Sequence, residues 1–319
     1  MEGINIAVLD ADTLGDDIKF DRFEKFGRVE VYGMTDPRQV RFRVMDADVI
    51  IVNKIKINSS TIGEAKRLKL ICVTATGFDN IDLELCRRRG IAVTNVRGYS
   101  SQSVAQVTVA MALSLVNHIP SYDRYVKDYS YSKSGVQNYL KPVFHELSSL
   151  TWGIVGLGGI GLKVADAAKA LGCDILAFKR RPDPLFRCVG LSELCRRSDI
   201  ISIHLPLSEE TRGIVSEKMI GLMKPGAIVI NAARGAVVDE AAMAAAVADG
   251  RLGGFATDVY SEEPLSASSP YVSIMDMENV IFTPHMAWGA YEARVRCMEE
   301  IEKNITAFLK GRRRNRVDI

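Results

Sequence analysis

The sequence contains few of the residues from which metal centres and disulfide frameworks are built. Six cysteines and four histidines are spread over 319 residues, and no two cysteines form a Cys-x-x-Cys pair. The cysteines stand in apolar or helical contexts, at Cys72, Cys86, Cys173, Cys188, Cys195 and Cys297. This pattern predicts reduced thiols in a cytoplasmic protein and no metal centre.

Long apolar runs and a strong charge of one sign are also missing. No apolar stretch approaches the roughly 20 residues of a transmembrane helix, and the first residues lack the features of a secretory leader. The net charge of +2 gives no strong attraction to nucleic acid or to an anionic membrane, so neither is predicted as a partner. The short basic stretch at 311–316 is interpreted as a solvated end. With 47% hydrophobic residues, the chain is long enough for two globular cores.

A glycine-rich turn between two apolar runs is the most informative stretch. Gly156-Leu-Gly-Gly-Ile-Gly161 follows the run at 152–155 and precedes a helical pattern at 162–171 and a second run at 175–178. In a dinucleotide-binding unit the first glycine makes a tight turn, the second admits the pyrophosphate and the third lets the helix pack on the strand. The helix N-terminus then attracts the phosphates. The predicted cofactor residues are Gly156, Gly158, Gly159, Ile160 and Gly161.

No carboxylate stands at the end of the second strand of this unit. NAD enzymes usually place Asp or Glu there, on the ribose 2′-hydroxyl. Here Phe178 is followed by Lys179, Arg180 and Arg181. Three cations suit a 2′-phosphate, although a solvated basic turn would have the same sequence. The stretch therefore favours NADP as the cofactor, with NAD still possible.

Strand and helix patterns alternate along both parts of the chain. Strands are predicted at 4–9, 29–32, 47–52, 70–74 and 91–94, and later at 200–204, 227–231, 254–258 and 280–282. Helices are predicted at 18–26, 37–45, 60–67, 101–117, 191–197, 216–223, 240–249 and 291–310, with a polar, tyrosine-rich excursion at 122–150. Such alternation predicts an α/β fold of two Rossmann-like, doubly wound parallel-sheet domains with a cleft between them. Residues 1–98 with 290–319 would form the substrate domain, and 99–289 the dinucleotide domain.

Three short stretches carry the side chains expected to do chemistry. Residues 231–239, 258–264 and 283–289 each follow a predicted strand of the second domain, where ligands of open α/β sheets lie. Arg234 could clamp a carboxylate and polarise the adjacent carbonyl, and His285 could donate a proton to that carbonyl. Glu263 could hold His285 and favour its charged form. Taken singly, Arg234 could be a phosphate contact, His285 a loop histidine and Glu263 a helix-capping acid. Taken together, they predict reversible hydride transfer between a carbonyl and an alcohol.

The chain resembles the D-isomer-specific 2-hydroxyacid dehydrogenase family over nearly its whole length. The resemblance is carried by the three stretches at 231–239, 258–264 and 283–289, together with 74–82, 95–106 and 204–207. The residues around Gly98-Tyr-Ser100 and Trp288 are similar to the glycerate dehydrogenase/hydroxypyruvate reductase branch. The resemblance implies an oxidoreductase that transfers a hydride from NADPH (or NADH) to a small 2-oxo acid such as hydroxypyruvate or glyoxylate, giving a D-2-hydroxy acid.

The resemblance also assigns roles to individual residues. The catalytic residues would be Arg234, Glu263 and His285. The substrate carboxylate would be bound by the backbone of Thr76, Gly77 and Phe78. The nicotinamide carboxamide would be contacted by Asp258 and Gly289, and the adenosine side would be lined by Leu205, Pro206 and Thr211. Lys54 stands in a substrate-loop position, with a solvated loop lysine as the alternative. A homodimer is implied, with the helix from Ser101 and the excursion at its interface.

Other functions are compatible with a dinucleotide site. One is a dinucleotide-sensing, corepressor-like binding protein, and another is a reductase of a different 2-oxo acid. A formate dehydrogenase of the same superfamily is disfavoured, because those relatives carry Gln where Glu263 stands here.

Overall fold

The computed structural model describes residues 3–181 and 183–319, which form two compact units. The first unit contains the residues up to Ser100 together with Gly289–Ile319, and the second is Ser101–Trp288. The divisions predicted after residues 98 and 289 lie close to these. Each unit is built on its own parallel β-sheet, so the predicted α/β class with two such sheets is confirmed.

The first unit has a five-stranded sheet in the order β2-β1-β3-β4-β5, and every neighbouring pair is parallel. The strands are β1 Ile4–Val8, β2 Gly27–Val31, β3 Val49–Val52, β4 Leu70–Val73 and β5 Ala92–Thr94. The helices are α1 Pro37–Arg43, α2 Ser59–Ile62, α3 Leu83–Arg88 and α11 Tyr291–Leu309, with 3-10 turns at Ala11–Leu14 and Asp21–Phe26. Every residue of β3 and β4 is buried, because helices cover both faces of a parallel sheet.

The C-terminal segment is part of the first unit's core. Helix α11 buries apolar side chains such as Ile301, and Nδ2 of its Asn304 donates a hydrogen bond to the carbonyl of Asn95. Beyond the helix, the backbone N–H of Val317 bonds the carbonyl of Val93, and Arg316 pairs with Asp318 at 2.5 Å. The interpretation of the basic stretch as a solvated end is therefore wrong from residue 314 onward, since its arginines find acidic partners within the unit.

The second unit has a seven-stranded parallel sheet in the order β12-β11-β10-β9-β6-β7-β8. The strands are β6 Thr151–Val155, β7 Asp174–Phe178, β8 Arg187–Cys188, β9 Ile200–Ile203, β10 Ile228–Asn231, β11 Gly254–Thr257 and β12 Val280–Phe282. The helices are α4 Ser101–Val116, α5 Ile119–Lys127, α6 Ser130–Ser134, α7 Gly159–Ala170, α8 Leu191–Arg197, α9 Glu217–Gly221 and α10 Glu240–Ala248, with 3-10 turns at Leu147–Ser149, Gly235–Val237 and Pro270–Ile274. The strand order reverses at β6, and such a switch point is where ligands of doubly wound sheets bind.

The predicted elements differ from the structure mainly in short polar segments. The helix expected at 60–67 ends at Ile62, and most of the one expected at 18–26 is a 3-10 turn. Helices α3, α5 and α6 were not predicted. The break between α4 and α5 is made by His118, which is in a left-handed conformation with φ 50°, and Pro120 lies in the first turn of α5.

Helix α4 lies against the sheet of the second unit. Its buried residues include Met111, Ala112 and Leu115, which pack in one cluster with Trp152 and Ile154 of β6. Among the described residues, no single helix is long and apolar enough to cross a membrane; α4 and α5 together meet the same length and composition test, with a 60° bend between them.

Candidate active site

The glycine-rich turn leaves β6 in a conformation that side chains would block. Gly156 has φ 102°, and a Cβ placed there would lie 2.9 Å from the carbonyl group of His204. A Cβ on Gly161 would lie 2.1 Å from the carbonyl oxygen of Gly156, so this glycine lets α7 approach the strand. Both positions therefore require glycine for reasons internal to the fold.

Gly158 has a different environment. It caps the N-terminus of α7, and apart from its neighbours in the chain no described atom lies within 4 Å of the place where its Cβ would be. A Cβ on Gly159 would meet only Ser101 Oγ, at 3.5 Å, and Ile160 is half-buried against the cluster around α4. The open space at Gly158 at the start of a twelve-residue helix fits a pyrophosphate, which would be held by the backbone N–H groups of the turn.

The predicted adenosine-side residues gather next to this turn. Leu205 Cδ2 lies 2.9 Å from the Cβ position of Gly156. Thr211 Oγ1 donates a hydrogen bond of 2.6 Å to the carbonyl of Pro206, which closes residues 206–211 into one loop after β9. The structure therefore places Leu205, Pro206 and Thr211 together beside the glycine turn.

Two of the three cations after β7 have acidic neighbours in the structure. Lys179 Nζ lies 3.2 Å from Asp183 Oδ2, and Arg180 Nη1 lies 3.5 Å from Glu210 Oε2. Arg181 is exposed. Neither contact was marked in the sequence, because a spacing of four residues brings side chains together in a helix and no helix lies at Lys179, and because Glu210 is thirty residues from Arg180.

Buried polar groups near the turn are neutral. Trp152 Nε1 donates to Ser202 Oγ at 3.0 Å, and Ser202 Oγ lies 2.9 Å from His204 Nε2. Burial lowers the pKa of His204 to about 3, so this imidazole is uncharged near neutral pH. Away from the turn, burial raises the pKa of Cys72, in β4 of the first unit, to about 12 and that of Cys195, in α8, to about 11, which makes these thiols poor nucleophiles.

Arg234 is presented by a tight turn after β10. The side chain of Asn231 accepts a hydrogen bond from Ala233 N and donates one of 3.0 Å to the carbonyl of Arg234. A Cβ on Gly235 would lie 2.0 Å from the carbonyl carbon of Tyr260, so glycine allows the Arg234 turn to pack directly on the loop after β11. The Arg234 side chain is half-buried.

Glu263 and His285 are brought together, as predicted. Nδ1 of His285 lies 2.6 Å from Oε2 of Glu263, and the other carboxylate oxygen accepts the backbone N–H of Tyr260 at 3.1 Å. The side chains are 22% and 30% exposed, so a solute can reach them. Because Glu263 engages Nδ1, the nitrogen that could serve a substrate is Nε2.

Asp258 holds the loop that carries His285. Its buried carboxylate accepts hydrogen bonds from Thr283 Oγ1 at 2.6 Å, Met286 N at 2.8 Å and Ala287 N at 2.9 Å. Tyr260 adds a bond of 2.9 Å from its hydroxyl to the carbonyl of Thr283, and burial raises the pKa of Tyr260 to about 12, so the donor keeps its proton. The nicotinamide contact expected of Asp258 stays a prediction.

The candidate substrate residues of the first unit lie at the carboxyl edge of its sheet. Lys54 follows β3, and Thr76, Gly77 and Phe78 follow β4. The buried carboxylate of Asp10, at the end of β1, accepts backbone N–H bonds from Asn53, Lys54 and Ile55. Thr76 Oγ1 donates to the carbonyl of Val96 at 2.8 Å. Gly289 also belongs to this unit, and its carbonyl accepts a bond from Arg294 Nε. The roles of these residues stay predictions.

No group of three or more His, Cys, Asp or Glu side chains within residues 3–181 and 183–319 is arranged to hold a metal ion.

Comparison with known proteins gives one consistent family. Residues 109–287 match the family described as D-isomer specific 2-hydroxyacid dehydrogenase, NAD binding domain. The glycerate dehydrogenase of Methylorubrum extorquens is 33% identical over 282 residues, covering 88% of this chain and 89% of that protein. The glyoxylate reductase of Thermococcus litoralis is 36% identical over 300 residues, covering 90% and 89%.

Solved structures show the same fold. An acyclic imino acid reductase (Bsp5) in complex with NADPH and D-Arg superposes with a TM-score of 0.87 at 28% identity, over 98% of this chain and 100% of that one. The D-lactate dehydrogenase of Aquifex aeolicus, complexed with NAD and lactic acid, gives 0.82 at 30% identity, over 96% of each chain. Together with the matched domain and the relatives, they confirm the predicted family. The chain belongs to the D-isomer specific 2-hydroxyacid dehydrogenases, and it is an NAD(P)-dependent oxidoreductase.

Proposed function

We propose that this dehydrogenase reduces hydroxypyruvate or glyoxylate to the D-2-hydroxy acid and prefers NADPH to NADH. The observation that carries the proposal is the 2.6 Å pair between His285 and Glu263, in the same unit as the Arg234 turn. Relatives named glycerate dehydrogenase and glyoxylate reductase support this substrate class.

The residues divide the work of the reaction. The nicotinamide supplies or accepts the hydride when it is bound. Arg234 binds the substrate carboxylate through its planar guanidinium and polarises the neighbouring carbonyl. His285 gives a proton from Nε2 to the carbonyl oxygen during reduction and takes it back during oxidation. Glu263 orients the ring through Nδ1 and stabilises the imidazolium by its charge.

The preference for NADPH is supported by charge. The end of β7 carries Lys179, Arg180 and Arg181 and no carboxylate directly after the strand. A charge-assisted hydrogen bond to a phosphate contributes about 1.5–3 kcal/mol, and each 1.4 kcal/mol corresponds to about tenfold in affinity. The acidic neighbours of Lys179 and Arg180 offset part of this gain.

We expect kcat/KM for a 2-oxo acid to be about tenfold higher with NADPH than with NADH. The measurement is a panel of 2-oxo acids assayed with each cofactor, including an arm with added amine because of the imino acid reductase likeness. Equal or better kcat/KM with NADH would contradict the cofactor preference. Dinucleotide binding without turnover of any acid would instead favour a corepressor-like binding protein.

The proposal extends to a homodimer formed through the excursion after α4. Residues 119–144 expose nine large apolar side chains: Ile119, Val126, Tyr129, Tyr131, Val136, Tyr139, Leu140, Val143 and Phe144. The segment is folded on itself, since Tyr125 stacks on Tyr139 at 3.9 Å and the Tyr122 hydroxyl donates to the carbonyl of Pro142. A folded segment that exposes this much apolar surface is typical of an interface, and a second copy of the chain is the occupant proposed.

We expect light scattering to give the mass of two chains for the native protein and the mass of one chain for the double variant Leu140→Glu with Val143→Glu. Charges introduced into an apolar interface would be desolvated without a partner. Glutamates at Phe42 and Met34, which are equally exposed in the first unit, are the control and should leave the dimer intact. A native protein that stays monomeric over the accessible concentrations would contradict the proposal. The cytoplasmic location, and the absence of nucleic acid and membrane partners, stay predictions.

A further inference from the structure

We infer that Asp183 sets the cofactor specificity of this enzyme, because its carboxylate occupies Lys179 in the place of a ribose 2′-phosphate. In this way Asp183 weakens NADPH binding and leaves NADH binding nearly unchanged. The inference rests on the proposed dehydrogenase function only in that a dinucleotide binds at the glycine turn.

The position of Lys179 defines the subsite. It is the first residue after β7, the strand that completes the unit of β6, the glycine turn and α7. In such units the end of this strand reaches the ribose 2′ position of the cofactor. Lys179 Nζ is therefore the cation best placed for a 2′-phosphate, and its 3.2 Å contact with Asp183 is made at that point.

Asp183 is held in place by more than the lysine. Its Oδ1 accepts the backbone N–H of Leu185 at 3.1 Å, and its own N–H contacts Cys188 Sγ, in β8, at 3.3 Å. The Asp183 side chain is 14% exposed and that of Lys179 34%. The Leu185 N–H and then Lys179 hold the pKa of Asp183 below its usual range, so the carboxylate is ionised near neutral pH. The lysine consequently has a fixed internal anion beside it.

The neighbouring pair lacks these features. Arg180 and Glu210 lie 3.5 Å apart, with side chains 88% and 76% exposed. Water and salt screen such a pair, and either side chain can leave it at little cost. Glu210 therefore provides a matched control, since it is an acidic residue beside a cation of the same basic cluster without the anchoring contacts.

The two cofactors meet this arrangement differently. A 2′-phosphate carries nearly two negative charges at neutral pH, and it must either displace Asp183 from Lys179 or lie beside a charge of its own sign. A 2′-hydroxyl brings no charge, so Lys179 can stay paired with Asp183 when NADH binds. Asp183 thus opposes the phosphate selectively, although it lies four residues beyond the usual position of a ribose-binding acid.

The test is direct binding of 2′-phospho-ADP-ribose and ADP-ribose to the native enzyme and to Asp183→Asn, measured by calorimetry. We expect Asp183→Asn to tighten binding of the phosphorylated probe by about tenfold, with a change below about twofold for ADP-ribose. Glu210→Gln should change the ratio of the two dissociation constants by less than about twofold. In a Lys179→Met background, the effect of Asp183→Asn should shrink to the part that comes from direct repulsion between the carboxylate and the phosphate.

An unchanged ratio in Asp183→Asn, a ratio that moves toward ADP-ribose, or an equal effect of Glu210→Gln would overturn the inference. Thermal unfolding shows whether each variant is folded, and Asp183→Ser, which retains an acceptor for the Leu185 N–H, replaces Asp183→Asn if that variant is not. Because the probes are bound without turnover, the inference can hold when no 2-oxo acid is reduced. If the native enzyme bound neither probe, the dinucleotide site itself would be refuted instead.

Discussion

Turnover is expected to fall by about a thousandfold when Arg234 is replaced by alanine, while the dissociation constant for NADPH changes by less than about threefold. The loss combines the orientation of the substrate carboxylate with stabilisation of the developing charge on the carbonyl oxygen, each of which contributes several kcal/mol in comparable sites. The turn that carries Arg234 follows β10 and packs on the loop of Tyr260, which connects it to Glu263 and not to the basic cluster after β7. Steady-state rates and cofactor binding by protein fluorescence measure the two quantities.

Arg234→Lys is the matched variant for this prediction. It keeps the charge and loses the planar fork that binds a carboxylate through two parallel hydrogen bonds. We expect an intermediate loss, seen mainly as a higher KM for the 2-oxo acid. A parallel fall of NADPH affinity and turnover in Arg234→Ala would instead make Arg234 a cofactor ligand.

Replacing His285 by alanine is expected to lower kcat by about a hundredfold to ten-thousandfold in both directions and at every pH. The reason is that a positioned general acid contributes about this much. His204, which follows β9 in the same unit, is neutral because burial lowers its pKa to about 3. The measurement is kcat for reduction and for oxidation over the stable pH range. Residual activity that still followed a histidine-like pH profile would contradict the assignment.

Glu263→Gln is the companion variant, because it keeps the shape of the side chain and removes its charge. The glutamine can still hold the His285 ring through Nδ1, but it no longer balances the positive charge of the protonated ring, which is the form that donates a proton during reduction. We expect kcat for reduction to fall more than kcat for oxidation. The measurement is kcat in both directions, and an unchanged kcat for reduction would show that the charge of Glu263 does not assist His285.

Much of the fold could be predicted from local patterns. The apolar runs that became β3, β4 and β9 are short, buried and bounded by turn residues, and a parallel sheet buried on both faces produces such runs. Helix α6 was missed because it is only five residues long and none of them is buried. Helix α5 has apolar residues at helical spacing, at Ile119, Tyr122 and Val126, but the polar, tyrosine-rich composition of the segment outweighed that signal. The extent of α2 was missed because the helix stops at Gly63, which a periodicity pattern does not show.

The sequence by itself determined the dinucleotide turn and the three residues nominated for catalysis. Gly161 is required by a contact with the carbonyl of Gly156, five residues earlier in the chain, and Gly156 by its positive φ; such local constraints are visible in spacing alone. Arg234, Glu263 and His285 each follow a different strand of the second sheet, and this alone predicted that all three lie at the carboxyl edge of that sheet.

The tertiary structure decided the geometry of the predicted pair and which other side chains support it. Glu263 and His285 are 22 residues apart, and their separation of 2.6 Å depends on the loops after β11 and β12. Those loops are held by Asp258 and Tyr260, whose spacing in the chain gave no sign of it. In the same way the basic cluster after β7 was visible in the sequence, but the anchored carboxylate of Asp183 on Lys179 was not. Hydrogen bonds require separations within a few tenths of an ångström, and loop conformations set those separations while the strand pattern sets only the edge of the sheet where they occur.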